Sequence, residues 1–237
     1  MNGKLLKSLI PSKYKRAIKE HLGVPSLHWS LQNLKKKGFK PDFVVDIGAY
    51  EGLWTLALFE IFPQAKVLMV EAQACKEPHL ESIRFKYPQA DYAINLLSSC
   101  DSVEKFFFAN ETASHVTDSP DAKASVMQAL TLDTLLLQKR LAFPDFIKVD
   151  VQGHEKEVLM GAKNSLAHAT VCLLEISLLS IDGHEPLLAE MIHFMDTKGF
   201  QAYDISQFIR RPFDKSLYQI DIFFAKKDSF LTNESRW

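Results

Sequence analysis

Five short apolar runs, at 43–47, 67–70, 92–97, 146–149 and 171–176, constrain this chain more than anything else in its sequence. They are continuous rather than alternating, the pattern of strands buried on both faces of a parallel sheet. Stretches with helical patterning lie between them, at 52–61, 76–86, 131–140 and 153–167. Strands and helices in this alternation predict a doubly wound α/β fold. A helix over 185–198 then leads through Gly199 to two closing strands, at 201–205 and 219–225. An extra hairpin strand is expected at 105–109, and 110–130 reads as an irregular loop. With 237 residues, 47% hydrophobic and 24% charged, the chain is long enough for one such domain and is not of disordered composition.

A boundary falls at Lys40-Pro41-Asp42, giving a basic helical cap of residues 1–40 and a main domain of 41–237. The cap reads as two short helices. One carries Leu5, Leu6, Leu9, Ile10, Tyr14, Ala17 and Ile18, and the second runs from about Ser26 to Gly38. The cap holds ten Lys and Arg against one acid, Glu20, whereas 41–237 holds 18 basic and 28 acidic residues. A near-neutral total thus conceals a basic head on an acidic body. The head is either a solvated amphipathic cap docked on that body or a contact for a phosphate-bearing acceptor, a carrier protein or an anionic membrane surface. Nucleic acid is not an expected partner, because the body would repel a duplex. The Asn/Asp-Pro-Pro-aromatic motif of amino-base methylation is also missing. Cys75, Cys100 and Cys172 form no CxxC pair, no apolar run approaches the ~20 residues of a membrane span, and a cytoplasmic location is expected. No residue pattern specifies an oligomeric state.

The segment Val44-Val45-Asp46-Ile47-Gly48-Ala49-Tyr50-Glu51-Gly52 reads as a strand, a glycine turn and a helix start. Glycines let the backbone turn tightly and approach a ligand, and the helix start offers unpaired N–H groups. The spacing Gly-x-x-x-Gly is not the Gly-x-Gly-x-x-Gly of dinucleotide folds, and Asp46 is poorly placed beside a pyrophosphate. It suits a cationic ligand bearing an amino group. A second strand ends in Glu71, where an acid accepts both hydroxyls of a ribose. The pair predicts an adenosine ligand. An NAD-dependent oxidoreductase is the alternative, but the glycine cradle it needs is incomplete.

Two further strands end in acids, at Asp150 and at Glu175. In a doubly wound sheet Asp46, Glu71, Asp150 and Glu175 would share one crevice at the strand carboxyl ends. Four carboxylates together are unfavourable unless a cation joins them, and a sulfonium ligand or a metal would serve. The histidines form no metal-ligand spacing, so no metal site is assigned.

These residues resemble the FkbM-type methyltransferases. The matching stretches are VVDIGAYEGLWTLAL (44–58), TLDTLL (131–136), IKVDVQGHEKEVLMGA (147–162), LLEIS (173–177) and YQIDIFFAKKDS (218–229), with Gly199-Phe200 between the last two. The resemblance implies a Rossmann-like class I methyltransferase fold, a seven-stranded sheet with an antiparallel last strand. It also implies S-adenosylmethionine as cofactor, with O-methylation of a hydroxyl on a sugar, glycan or natural-product-like small molecule. By position, Asp46, Gly48, Gly52 and Thr55 fall on the first motif and Glu71 on the ribose acid. Asp150, Gly153 and Glu155 fall on the second motif and Glu175 on the third. Ala49, Tyr50 and Ser98 complete the expected cofactor contacts. Tyr50 and Gln152 depart from the usual Asn and Glu, and His154 replaces a small or apolar residue. A hydroxyl nucleophile gains from a general base. His154 is the first candidate, since its ordinary pKa near neutrality suits the task, with Asp150 and Glu175 as alternatives. A non-catalytic member binding the cofactor or a partner is the remaining alternative.

Overall fold

The computed structural model describes residues 22–108, 115–117, 124–181, 183 and 185–233. The first expected helix of the head lies outside the described residues.

One sheet has seven strands in the order β10-β11-β9-β8-β1-β2-β3. Its members are β1 (Phe43–Ile47), β2 (Lys66–Glu71), β3 (Ala90–Ile94), β8 (Phe146–Val149), β9 (Val171–Ser177), β10 (Phe200–Arg210) and β11 (Leu217–Lys226). Only β11 runs against the rest, pairing antiparallel with both β9 and β10. Each apolar run is continuous because its successive residues enter two different cores. On one side Val45, Ile47 and Ile147 meet α4 (Leu132–Lys139), α5 (Glu155–Met160), α6 (Lys163–His168) and α7 (Leu188–Thr197). On the other, Val44, Val67 and Phe146 meet α1 (Leu27–Lys36), α2 (Leu53–Ile61) and α3 (Glu77–Lys86). Each fully buried Val, Leu, Ile or Phe contributes about 1.5–3 kcal/mol.

Helix α1 starts where expected, with Ser26 accepting from the Trp29 N–H. Leu31 and Leu34 are wholly buried in the same core as β1 and β2. Three lysines of the basic head meet partners here. Lys35 donates to the Ile61 carbonyl at the end of α2, Lys36 lies over the Trp29 ring and Lys37 over Tyr203.

Three expectations are corrected. The 92–97 run is not one strand: β3 stops at Ile94, the Asn95 N–H bonds the Glu71 carbonyl, and β4 (Leu96–Leu97) joins a different sheet. The described parts of 110–130 are not irregular. β6 (His115–Thr117) and β7 (Ala124–Leu130) pair with β5 (Val103–Phe108), and the second sheet runs β4-β7-β5-β6. Lastly, the helix over 153–167 breaks into α5 and α6 at Gly161, whose Cα lies so close to the Ser98 carbonyl that an added Cβ would sit 2.1 Å from its oxygen. No helix among the described residues is long and apolar enough to cross a membrane.

Candidate active site

The carboxyl ends of β1, β2, β8 and β9 open on a cleft of about 220 Å³. Glu71, Asp150, Gln152 and Glu175 supply its polar wall. Leu96 and Leu97, with Phe107 and Val116 of the second sheet, supply an apolar wall. The second sheet therefore shapes the site.

The turn after β1 forms the floor. The N–H groups of Gly48 and Ala49 both donate to the Val70 carbonyl. Gly48 has φ 72°, and a Cβ on it would lie 1.8 Å from the Asp150 carbonyl oxygen, so only glycine allows β1 and β8 to close here. Tyr50 is also left-handed, with φ 52°. Its N–H donates to Glu71 Oε2 at 2.7 Å, and the Gln73 N–H donates to Oε1 at 2.9 Å. One N–H on each oxygen fixes the carboxylate's orientation and leaves it further lone pairs. The Tyr50 ring lies 4.0 Å from Lys76 Nζ, a cation–π contact.

Asp46 does not face the cleft. It is wholly buried, accepts from Thr55 Oγ1 at 2.7 Å and lies 3.1 Å from Lys148 Nζ. Lys148 also approaches Asp150 at 3.4 Å and donates to the Gly48 carbonyl at 2.9 Å. Burial alone would push the Lys148 ammonium down, but the charges of Asp46 and Asp150 and their hydrogen bonds hold it above its ordinary value. Lys148 is thus the cation for two of the four strand-end acids, Asp46 and Asp150. Sequence reasoning missed Lys148. The signal was a lone charge inside the apolar run 146–149, between two acid-ended strands.

Of the expected cofactor contacts, Gly48, Tyr50, Glu71 and Asp150 line the cleft. Ala49, Gly52, Thr55 and Ser98 lie behind its wall. Gly52, at φ 74°, has a backbone that L side chains rarely adopt, and an added Cβ would have to displace the end of the Ile83 side chain, 2.3 Å away. Ser98 Oγ is 3.0 Å from His154 Nε2. His154 lines the cleft but is buried, with Nε2 turned to Ser98 and Nδ1 3.7 Å from Glu157. Gly153 and Glu155 form a turn: Glu155 is buried and accepts from the Val151 and Gly153 N–H groups. Among the described residues, no group of three or more His, Cys, Asp or Glu could hold a metal ion.

Glu175 changes role. Burial first, then the charges of Asp150, Asp221 and Glu155, push its carboxyl up to about 9. Its proton is held more tightly than that of an ordinary carboxyl, while Gln152 and Gln219 both donate to its Oε2. Burial likewise raises Glu155 to about 7 and Asp221 to about 6. A carboxyl raised this way favours the fold most below its unfolded value of 4.5. That contribution is lost as pH climbs through the folded value of about 9. Glu175→Gln never ionises, so its melting temperature relative to the native protein should rise steadily between about pH 5 and pH 9. A difference constant with pH would show that Glu175 is not held protonated.

The family model for the methyltransferase FkbM domain matches residues 46–202. Among solved structures, a methyltransferase FkbM from Methylobacillus flagellatus KT superposes with a TM-score of 0.52 at 16% identity, over 77% of this chain and 43% of that one. The chain thus spans less than half of that protein's length, and the likeness is one of fold. A precorrin-6y C5,15-methyltransferase from Geobacter metallireducens GS-15 gives 0.46 at 13% identity, over 81% of this chain and 84% of that one. A magnesium protoporphyrin IX methyltransferase from Synechocystis PCC 6803 gives 0.47 at 10% identity, over 84% and 79%. No curated protein matches. The family match runs from the acid in β1 through both acid-ended strands of the cleft into β10, and the chain belongs to the FkbM methyltransferase family.

Proposed function

We propose that this chain is an S-adenosylmethionine-dependent O-methyltransferase acting on a hydroxyl of a sugar, a glycan or a similar natural-product-like small molecule. The observation that carries the cofactor is Glu71, a carboxylate on the cleft wall tied by one peptide N–H on each oxygen. Its remaining lone pairs suit the two hydroxyls of a ribose. The apolar wall of Leu96, Leu97, Phe107 and Val116 suits a purine, and the backbone around Gly48 and Tyr50 would hold the amino-acid end. When bound, the cofactor supplies an electrophilic methyl group on a neutral leaving sulfide.

The chain's own work is alignment and proton removal. His154 Nε2 already meets Ser98 and Glu175 holds its proton more tightly than an ordinary carboxyl, so we assign Asp150 as the base. Its side chain is 37% exposed and lies on the cleft. Lys148 at 3.4 Å orients that carboxylate. Residues 1–40 would add contacts to an anionic acceptor, a carrier or a membrane surface through lysines other than those engaged by the body.

The test is thermal unfolding with S-adenosylmethionine, S-adenosylhomocysteine and NAD in parallel. At a hundredfold excess over its dissociation constant a ligand adds ~2.7 kcal/mol. For a chain of this size that raises the melting temperature by roughly 5–10 °C. Both sulfur ligands should produce that shift and NAD should not. A shift with NAD alone would overturn the reading. Transferred label recovered as an alkali-stable ether, not an alkali-labile ester, would establish the oxygen as a hydroxyl.

A further inference from the structure

We propose that the tip of the β10–β11 hairpin is an interfacial anchor that seats the mouth of the cleft on a membrane surface rich in anionic lipid. The docking stands on the surface alone. Only what the cleft would meet there, the hydroxyl of an amphiphilic acceptor, rests on the methyl-transfer reading above.

β10 runs parallel to β9, because both pair antiparallel with β11. The hairpin therefore turns at the carboxyl end of the sheet, where the cleft opens. Gln219, near the start of β11, donates to Glu175 on the cleft wall at 3.1 Å. The turn just before it is a built one. The Arg211 N–H donates to the Ser216 carbonyl, the Lys215 N–H to the Arg211 carbonyl and the Ser216 N–H to Asp214. That frame presents Phe213 to water, 89% exposed. Two more apolar side chains are exposed at the same end: Ile181, in the connection after β9, and Leu53, at the start of α2. β1 and β10 lie four places apart in the sheet, which at the usual strand spacing is about 20 Å. Exposed apolar groups gathered around one opening mark an interaction surface.

Charge selects a layer of lipid headgroups as the occupant. The body 41–237 is acidic, yet 210–215 holds Arg210, Arg211 and Lys215 against Asp214. Asp214 pairs with Arg211 through both carboxylate oxygens, which leaves Arg210 and Lys215 in surplus. Each arginine also lies over a phenylalanine of the hairpin, Arg210 over Phe208 at 6.0 Å and Arg211 over Phe213 at 5.6 Å. A ring beneath a guanidinium suits a membrane interface, where the ring enters the acyl boundary and the charge stays among phosphates. Phe213, Ile181 and Leu53 come from three separate elements and stand singly, unlike the contiguous desolvated core of an interface with another protein. Residues 1–21 hold six Lys and Arg against Glu20, a charge of the same sign for the same surface.

Flotation of the full chain with phosphatidylcholine vesicles, alone or mixed with phosphatidylglycerol, tests this. The chain should float with the mixed vesicles and not with the neutral ones, and less of it should float as salt rises. Phe213→Ser should weaken binding to the mixed vesicles about tenfold or more. Lys215→Gln should weaken it about fivefold. Phe85 is as exposed, at 90%, but sits where α3 leads into β3, at the amino end of the sheet, so Phe85→Ser should bind like the native protein. Native-strength binding by Phe213→Ser would overturn the proposal, since the charge of residues 1–21 would then suffice. An equal loss in Phe85→Ser would overturn it as well, as the mark of indiscriminate apolar adhesion. So would a chain that stays in solution with both kinds of vesicle, as one that docks on a carrier protein would. An unchanged melting temperature in Phe213→Ser excludes unfolding as the cause of its loss. Calorimetry with S-adenosylhomocysteine, without vesicles, separates the two claims. If it does not bind, the methyl-transfer reading fails, and the docking is still decided by flotation.

Discussion

Replacing Lys148 with methionine should destabilise the protein by about 3–5 kcal/mol, because it strands a carboxylate in the core. Asp46 has no exposed surface, and Lys148 is the cation beside it at 3.1 Å. Methionine fills similar volume, so the loss reports charge rather than a cavity. For a chain of this length the melting temperature should fall by on the order of 10 °C. The double variant Lys148→Met with Asp46→Asn should recover most of the loss, since no buried charge is then left alone. Asp150 loses a partner in both variants but retains solvent access. Chemical denaturation of the two variants checks this, and equal destabilisation in both would sink the argument.

Glu71→Ala should weaken S-adenosylhomocysteine binding by about a hundredfold or more. Hydrogen bonds to a charged group contribute about 1.5–3 kcal/mol each, and two ribose hydroxyls would lose their acceptor. The alanine also releases the Tyr50 and Gln73 N–H groups that the carboxylate orders. Glu71→Gln separates the effects. Its amide oxygen keeps one acceptor while its NH2 opposes a peptide N–H, so about a tenfold loss is expected. Titration calorimetry on both variants measures this. Native-like affinity in the alanine variant would remove Glu71 from the cofactor site.

Much of the main sheet was legible because its signals are local. The runs at 43–47 and 146–149 coincide with β1 and β8, since strands covered on both faces need apolar residues at every position. Gly48 was legible as a turn glycine, although the group that demands it is the Asp150 carbonyl about a hundred residues away. The second sheet was not legible. Ala124–Leu130 mixes polar and apolar residues without a clean period and becomes a strand only by pairing with β5 and β4. Phe107 and Val116 accordingly entered the cleft unannounced. His154 was read correctly as near the crevice. Its partner Ser98 follows β4, far away in the chain, and no local pattern announces that Nε2 meets its hydroxyl.

By itself, the sequence determined the alternating architecture, the acids at the strand ends and the glycine turn, because each depends on residues within a few positions of one another. Tertiary structure alone decided what those acids are. Asp46 and Lys148 are register partners across β1 and β8, so one carboxylate became the seat of a buried cation. Glu175 lies opposite Asp221 and beside Asp150, so another has its proton affinity raised. Charge state is set by burial and by neighbours in space, and no local pattern in the chain encodes either.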